Sequence, residues 1–261
     1  MRHSTTFLMS LIVASILVLM FLNLVLGSVS IPLKSVWNII CGLGDEPVTW
    51  QNIVWKSRLP QALTALVAGA GLAISGLQMQ TVFRNPLAGP SVLGISSGAS
   101  MGVAFVVLLS GSLGGVALSK LGFMGEIALS IAAVIGSLSV MALIVYVSQK
   151  VKGNVTLLII GVMIGYVANA VIGVLKFFSV EEDIRAYVIW GLGSFSRVSG
   201  NQMMLFVAIM AILIPLSFLL IKTLNLMLLG DEVSIPLGTD LHRLRQLYLL
   251  VSAAVVGFVV Y

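Results

Sequence analysis

The amino-acid sequence predicts an all-α polytopic membrane protein. Of its 261 residues, 59% are hydrophobic and only 9% are charged, whereas an ordinary soluble domain carries roughly 25% charged residues. Nine acidic and fourteen basic side chains are too few to cover a water-soluble globule of this length. The apolar residues also form long runs separated by short polar connections, as expected when the surrounding solvent is a lipid bilayer.

Seven apolar runs are candidate membrane helices, since a helix needs about 20 such residues to cross the hydrocarbon core. The first run is longer than the apolar region of a signal peptide and no A-x-A-like site follows it, so we interpret it as an uncleaved helix. The seventh run stops without a polar flank and would leave its last carbonyls unpaired in lipid. We therefore expect the chain to be incomplete at its C-terminus. The runs cover residues 7–27, 59–83, 91–110, 123–147, 155–175, 203–221 and 246–261.

Charge and cysteine content exclude several classes of function. The net charge of +5 is scattered along the chain, so no basic surface for nucleic acid is expected. A single cysteine, Cys41, excludes an intramolecular disulfide and a cysteine metal site. No lysine follows a glycine, so the chain has no P-loop for ATP hydrolysis. We expect neither a cofactor nor a resident metal. Seven basic residues fall on each side of the predicted membrane, so the positive-inside rule does not give the orientation.

The segment RNPLAGPSVLGISSGAS, residues 84–100, predicts a sharp turn followed by a closely packed helix. Prolines lack the amide hydrogen that a helix needs and disfavour helix before them, and Asn85 can bond freed backbone groups locally. Pro86 and Pro90 should therefore end the second helix, and Ser91 is a candidate N-cap for the third. Three glycines at four-residue spacing then share one helix face and allow a close helix–helix approach. They are Gly94, Gly98 and Gly102.

Residues 94–98 also fit G-x-S-x-G, the pattern of a serine hydrolase. That motif needs a strand-to-helix elbow and a base, whereas here it would open a membrane helix. The two histidines, His3 and His242, lie in a terminus and a loop. A hydrolase is therefore rejected. An ion-coupled secondary transporter remains the alternative function, although no internal repeat is evident and no charged side chain lies well inside the second to sixth runs.

The 84–100 string resembles a signature of the permease subunits of bacterial ABC importers for iron-siderophores, haem and cobalamin. The resemblance continues through RLPQALTALVAGAGLAISGLQMQ at 58–80, LLIIGVMIG at 157–165, WGLGSF at 190–195 and LGDEVSIPLG at 229–238. It implies a ten-helix inner-membrane fold with both termini cytoplasmic, of which this chain holds about seven helices in one permease domain, 1–261. It also implies three kinds of partner. These are a second permease copy or homologue, two ATP-binding subunits that hydrolyse ATP, and an extracytoplasmic substrate-binding protein.

Residues 224–247 form a polar, interrupted segment between the last two apolar runs. Its plain interpretation is a solvated loop. The resemblance implies instead a cytoplasmic coupling loop that transmits movement of the ATPase. Asp231 and Glu232 suit the first turn of a short helix, where the helix dipole favours anions. Their apolar neighbours can pack into a groove on the ATPase subunit. The residues implied in coupling are Leu229, Gly230, Asp231, Glu232, Val233, Leu237 and Gly238.

Two further groups of polar residues have two interpretations each. Lys56 and Arg58 suit an interfacial anchor beside Trp55, whereas the resemblance implies an outward basic patch, at Arg58 above all, that docks the binding protein. The amides within the second and fifth runs suit either interhelical hydrogen bonding or a weakly binding translocation path. They are Gln78, Gln80 and Asn169.

Overall fold

The computed structural model describes residues 2–44, 46–112, 123–151, 154–195, 198, 200–228 and 241–260. Within these ranges the regular structure is entirely helical, so the predicted all-α class is confirmed. A π-helical turn at Val54–Arg58 joins the third and fourth helices. The helices are α1 Arg2–Val25, α2 Leu33–Cys41, α3 Val48–Ile53, α4 Leu59–Phe83, α5 Ile95–Ser112, α6 Phe123–Ser148, α7 Asn154–Phe178, α8 Glu181–Gly191, α9 Gly200–Leu219, α10 Ile221–Leu228 and α11 Leu241–Val260.

Helices of membrane-spanning length account for most of the predicted apolar runs. Five helical segments are long and apolar enough to cross a bilayer, and a sixth span arises if the α9–α10 pair, bent by 45°, is counted as one. The apolar part of α5, Ile95–Leu109, is shorter. The described part of the chain is therefore that of a polytopic membrane protein. The five segments are Thr5–Val25, Val48–Phe83, Ile127–Ser148, Val155–Phe178 and Arg243–Val260.

One compact unit contains Met1–Val67 and Ser194–Val207. Within it, α1 is almost fully exposed along its span. The short helix α2 is flanked by Pro32 and Gly42, and the left-handed backbone of Gly42 (φ 67°) ends the helix as glycine readily does. A small cluster of buried side chains joins the end of α1 to α2 and the π-helical turn. Its members are Leu24, Ile31, Val36, Ile39 and Val54.

The second compact unit contains Ala68–Gly193 and Ala208–Tyr261. Here α5 packs against α6, α7 and α8, while α6 also packs against α11. The larger core surrounds the α4–α5 turn and buries Leu93, Ile95 and Met141 completely. A second core lies among α5, α6, α7 and α8 and includes Val103, Ala133 and Tyr187. The predicted turn segment is thus part of the core of this unit.

Candidate functional site

The turn between α4 and α5 is organised by Asn85. Arg84, directly after α4, has a left-handed backbone with φ 48°. The Leu87 N–H donates to Asn85 Oδ1 at 2.9 Å, and the Ala88 N–H donates to the Asn85 carbonyl at 3.0 Å. Asn85 therefore satisfies two amides where the neighbouring prolines prevent helical hydrogen bonding.

The turn ends at Gly94, one helical turn later than the sequence suggested. Gly94 has φ 71°, a conformation that favours glycine. The Ile95 N–H donates to the Pro90 carbonyl at 3.3 Å, and the Gly94 N–H donates to the Ser91 carbonyl at 3.2 Å. Helix α5 consequently begins at Ile95, so Ser91 is not its N-cap. Pro86 is exposed.

The three glycines at four-residue spacing, Gly94, Gly98 and Gly102, meet two different helices. A Cβ added at Gly94 would lie 2.9 Å from the carbonyl oxygen of Gly161 on α7, and one added at Gly98 would lie 2.7 Å from that of Gly136 on α6. A Cβ at Gly102 would collide with the α6 backbone. Backbone touches backbone at each of these positions, which is the packing that small residues permit between membrane helices.

Arg84 connects this turn to the end of α10. Its Nη2 atom donates to the carbonyl of Met227 at 3.2 Å, one residue before α10 ends at Leu228. The last carbonyls of a helix lack intrahelical partners, and a cation there also suits the helix dipole. The sequence shows Arg84 as a basic residue within the turn motif and gives no further indication of this contact.

The predicted coupling residues follow α10 directly but lie outside the described residues. The structure therefore provides their boundaries, α10 before them and α11 after them, and no geometry of their own. Those residues are Leu229, Gly230, Asp231, Glu232, Val233, Leu237 and Gly238.

Arg58 is buried, contrary to the outward position that a docking role requires. Its side chain is 5% exposed. Nη1 donates to the carbonyls of Leu24 at 2.7 Å and Val25 at 2.8 Å, and Nη2 donates to the carbonyl of Val29. Gly27 makes room, because a Cβ there would lie 2.8 Å from Nη2. The guanidinium thus satisfies carbonyls at the C-terminal end of α1.

This arrangement corrects the interpretation of Arg58 as a docking residue, because its guanidinium nitrogens donate to backbone carbonyls of the same compact unit. Lys56, in the same π-helical turn, is exposed. Gln61, in the first turn of α4, donates to Ser57 Oγ in the π-helical turn at 3.3 Å. Docking through Lys56 stays a prediction.

The three predicted pathway amides have different surroundings. Gln78 is 3% exposed, and its Oε1 accepts a hydrogen bond from Ser252 Oγ on α11 at 2.6 Å. This is the interhelical bond that was one of its two interpretations. Gln80 and Asn169 are exposed. The partner of Gln78 was not predictable, because Ser252 lies 174 residues further along the chain.

Helix α8 carries polar side chains that no sequence motif indicates. Burial raises the pKa of Tyr187 above its usual value of 10.0. Its hydroxyl donates to the Ser100 carbonyl at 3.4 Å, and Lys176 Nζ lies 4.8 Å from its ring centroid. Two buried atoms, Asp183 Oδ2 and Trp190 Nε1, have no hydrogen-bond partner among the described residues. The acidic start of α8 at 181–183 was the available helix signal.

The described residues contain no group of three His, Cys, Asp or Glu side chains that could hold a metal ion. Their polar groups instead join helices, through the Asn85 turn, the two arginines at helix ends and the Gln78–Ser252 bond. Glycine contacts hold α5 against α6 and α7. Helices, composition and contacts together define the class, a multi-pass helical membrane protein.

Comparison with known proteins identifies the family. Residues 15–261 match the FecCD transport family, and the chain belongs to it. It is 33% identical over 234 residues to the hemin transport system permease protein HmuU of Yersinia pestis, covering 89% of this chain and 66% of that protein. It is 36% identical over 208 residues to the vitamin B12 import system permease protein BtuC of Serratia proteamaculans, covering 79% and 59%. The chain thus spans less than two thirds of the length of either relative.

A solved structure has the same fold. It is described as an inward-facing conformation of a metal-chelate type ABC transporter, and it matches with a TM-score of 0.76 and 26% sequence identity. The match covers 94% of this chain and 72% of that one. The described helices therefore share the fold of that transporter.

Proposed function

We propose that this protein is the permease subunit of an ATP-driven importer that carries a metal chelate, such as an iron-siderophore, haem or cobalamin, across the inner membrane. The supporting observation is the family match over residues 15–261, with relatives named for hemin and for vitamin B12. Both of those cargoes contain a large, metal-bearing macrocycle, so we assign the class of cargo, a metal chelate, and not one particular compound.

In this proposal the chain forms a membrane path and does not hydrolyse ATP. Its sequence has no P-loop, so two ATP-binding subunits supply the energy. A second permease copy or homologue completes the path, and an extracytoplasmic binding protein delivers the chelate. Residues 1–261 act as one permease domain with the N-terminus in the cytoplasm, and residues 224–247, which include the end of α10 and the start of α11, form the cytoplasmic coupling loop. Lys56 belongs to the surface that receives the binding protein.

Asn169 is the residue we propose for the path. It is exposed on α7, a helix of membrane-spanning length. An amide that faced lipid there would lack hydrogen-bond partners, at a cost of several kcal/mol. A water-filled path beside the second copy removes that cost. We expect Asn169→Leu to lower uptake and Asn169→Gln to preserve it, with both variants inserted normally.

Reversing two charges tests the coupling loop. Asp231→Arg combined with Glu232→Arg should reduce copurification of the ATP-binding subunit and ATP-driven uptake, because like charges at a docked surface cost several kcal/mol. The matched control is Glu181→Arg with Glu182→Arg, an exposed acidic pair at the start of α8. In the proposed topology that pair lies on the opposite side of the membrane, so the control should retain the ATP-binding subunit. Normal copurification and uptake in the Asp231/Glu232 variant would contradict the assignment.

The orientation has its own test. A cysteine placed at Thr239 in a Cys41→Ser background should react with a membrane-impermeant thiol reagent from the cytoplasmic side alone. Inside-out vesicles should therefore be labelled and intact spheroplasts should not. Labelling of spheroplasts would reverse the topology.

A further inference from the structure

Helix α2 has two apolar faces that adjoin along one side, and the structure covers one of them. Val36 and Ile39 are buried in the small core at the end of α1. Leu33 and Trp37 are each 58% exposed, and Ile40 is 39% exposed. At 100° per residue these three exposed side chains fall within an arc of about 60°.

A narrow polar strip separates the two faces along one side of the helix. Lys34 and Asn38 are neighbours at i, i+4 on a helix surface. Asn38 Nδ2 donates to Glu46 Oε1 at 3.0 Å, which directs this strip to the polar connection after α2. The helix therefore offers polar groups to water along one edge, and an apolar face remains to be covered.

The position of α2 indicates what covers that face. Helix α1 is a membrane span with 6% of its most apolar stretch buried, so lipid is its solvent. Val36 and Ile39 pack in one cluster with Leu24, next to the last residue of α1. Helix α2 thus lies at the depth where the span ends. This is the interfacial zone that favours tryptophan and amphipathic helices.

We propose that α2 is an interfacial helix whose Leu33–Trp37–Ile40 face inserts into the boundary between headgroups and acyl chains of the leaflet at the C-terminal end of α1. The face bears no charge, which favours lipid over a protein that docks through ion pairs. Lys34, beside the face, can extend its amine toward anionic headgroups. This anchor fixes the corner between α1 and α2 at the membrane surface.

Spin-label accessibility tests this proposal. A nitroxide is attached at Ile40→Cys in a Cys41→Ser background, and the protein is reconstituted in phosphatidylethanolamine–phosphatidylglycerol vesicles. Collision rates with oxygen, which partitions into lipid, and with a nickel chelate, which stays in water, are then measured. The reference site is Glu181→Cys in the same background, because Glu181 is an exposed acidic residue outside the five segments of membrane-spanning length. We expect an oxygen-to-nickel ratio several-fold higher at residue 40 than at residue 181.

Two results would overturn the proposal. High nickel accessibility at residue 40 would mean that the face lies in water. Low accessibility to both reagents would mean that protein covers it, either a second copy or a partner. A label at Leu33→Cys in the same background, on the same face as Ile40 and 58% exposed, provides a second measurement. It keeps the test decisive if Ile40→Cys folds poorly, and neither site depends on the transport assignment.

Discussion

Replacing Gly98 by alanine should weaken the packing of α5 against α6. The added Cβ would lie 2.7 Å from the carbonyl oxygen of Gly136 and 2.5 Å from Val140 Cγ2, while ordinary contact begins at 3.4 Å. Val140 can rotate, but the Gly136 carbonyl belongs to a helix backbone. The two helices must therefore separate locally by about 0.7 Å, the difference between 2.7 and 3.4 Å.

Overpacking of this kind costs typically about 1–3 kcal/mol, against a gain of about 1 kcal/mol from replacing glycine by alanine within a helix. Because the clash is with backbone, we expect the cost to exceed the gain. The measurement is the midpoint of thermal denaturation in detergent, followed by size-exclusion chromatography of the heated protein. Gly98→Leu should lower the midpoint further and impair assembly.

Gly76→Ala provides the matched control, since a Cβ at Gly76 has nothing within 4 Å. That variant should denature at or slightly above the wild-type midpoint through the helix-propensity gain alone. Equal midpoints for the Gly98 and Gly76 variants would refute the close-packing explanation. Both variants carry the same glycine-to-alanine substitution, and they differ in whether the added Cβ meets a neighbouring helix.

Three further outcomes follow from the polar contacts. Arg58→Met should destabilise the α1–α2 corner by roughly 1–3 kcal/mol because it leaves backbone carbonyls unsatisfied, and Arg58→Lys should have an intermediate effect. The measurement is the rate of proteolysis of the connection after α1, and an unchanged rate would contradict the prediction. Gln78→Leu should cost about 1 kcal/mol by leaving Ser252 without its acceptor, whereas Gln78→Leu with Ser252→Ala should recover part of the loss in a double-mutant cycle. Burial raises the pKa of Tyr187 above 10.0. The contribution of this tyrosine to the free energy of unfolding is therefore complete below pH 10.0 and declines as pH rises through the folded-state pKa. Wild type should therefore lose stability relative to Tyr187→Phe above that pH, and parallel profiles would contradict the assignment.

The membrane helices were predictable because their signal is local. Each apolar run coincides with helix in the described residues, since length and apolarity alone determine whether a segment can satisfy its backbone in lipid. Their ends were less predictable. The third run was expected to begin its helix near Ser91, but the left-handed backbone of Gly94 delays α5 to Ile95. The short helices α2, α3 and α8 lie in connections, where apolarity gives little indication of helix.

The burial of Arg58 could not be predicted for a different reason. A basic residue beside Trp55 has the composition of an interfacial or docking site, and no acidic residue that would suggest a buried ion pair occurs between Glu46 and Glu126. The partners are backbone carbonyls about thirty residues earlier, which carry no sequence signal. Only the tertiary arrangement, with Gly27 leaving space for the guanidinium, reveals the contact.

Arg84 makes the same kind of contact in the second compact unit, and the comparison explains why an arginine is suited to both places. Arg58 and Arg84 each donate to carbonyls at the end of another helix, where a planar, permanently charged donor group needs no carboxylate partner. Arg84 also belongs to the turn whose Leu93 and Ile95 are fully buried. The end of α10 is therefore bonded to a segment fixed in the core. Under the proposed function, a push on the coupling loop beyond α10 would reach the core through this hydrogen bond as well as along the helix.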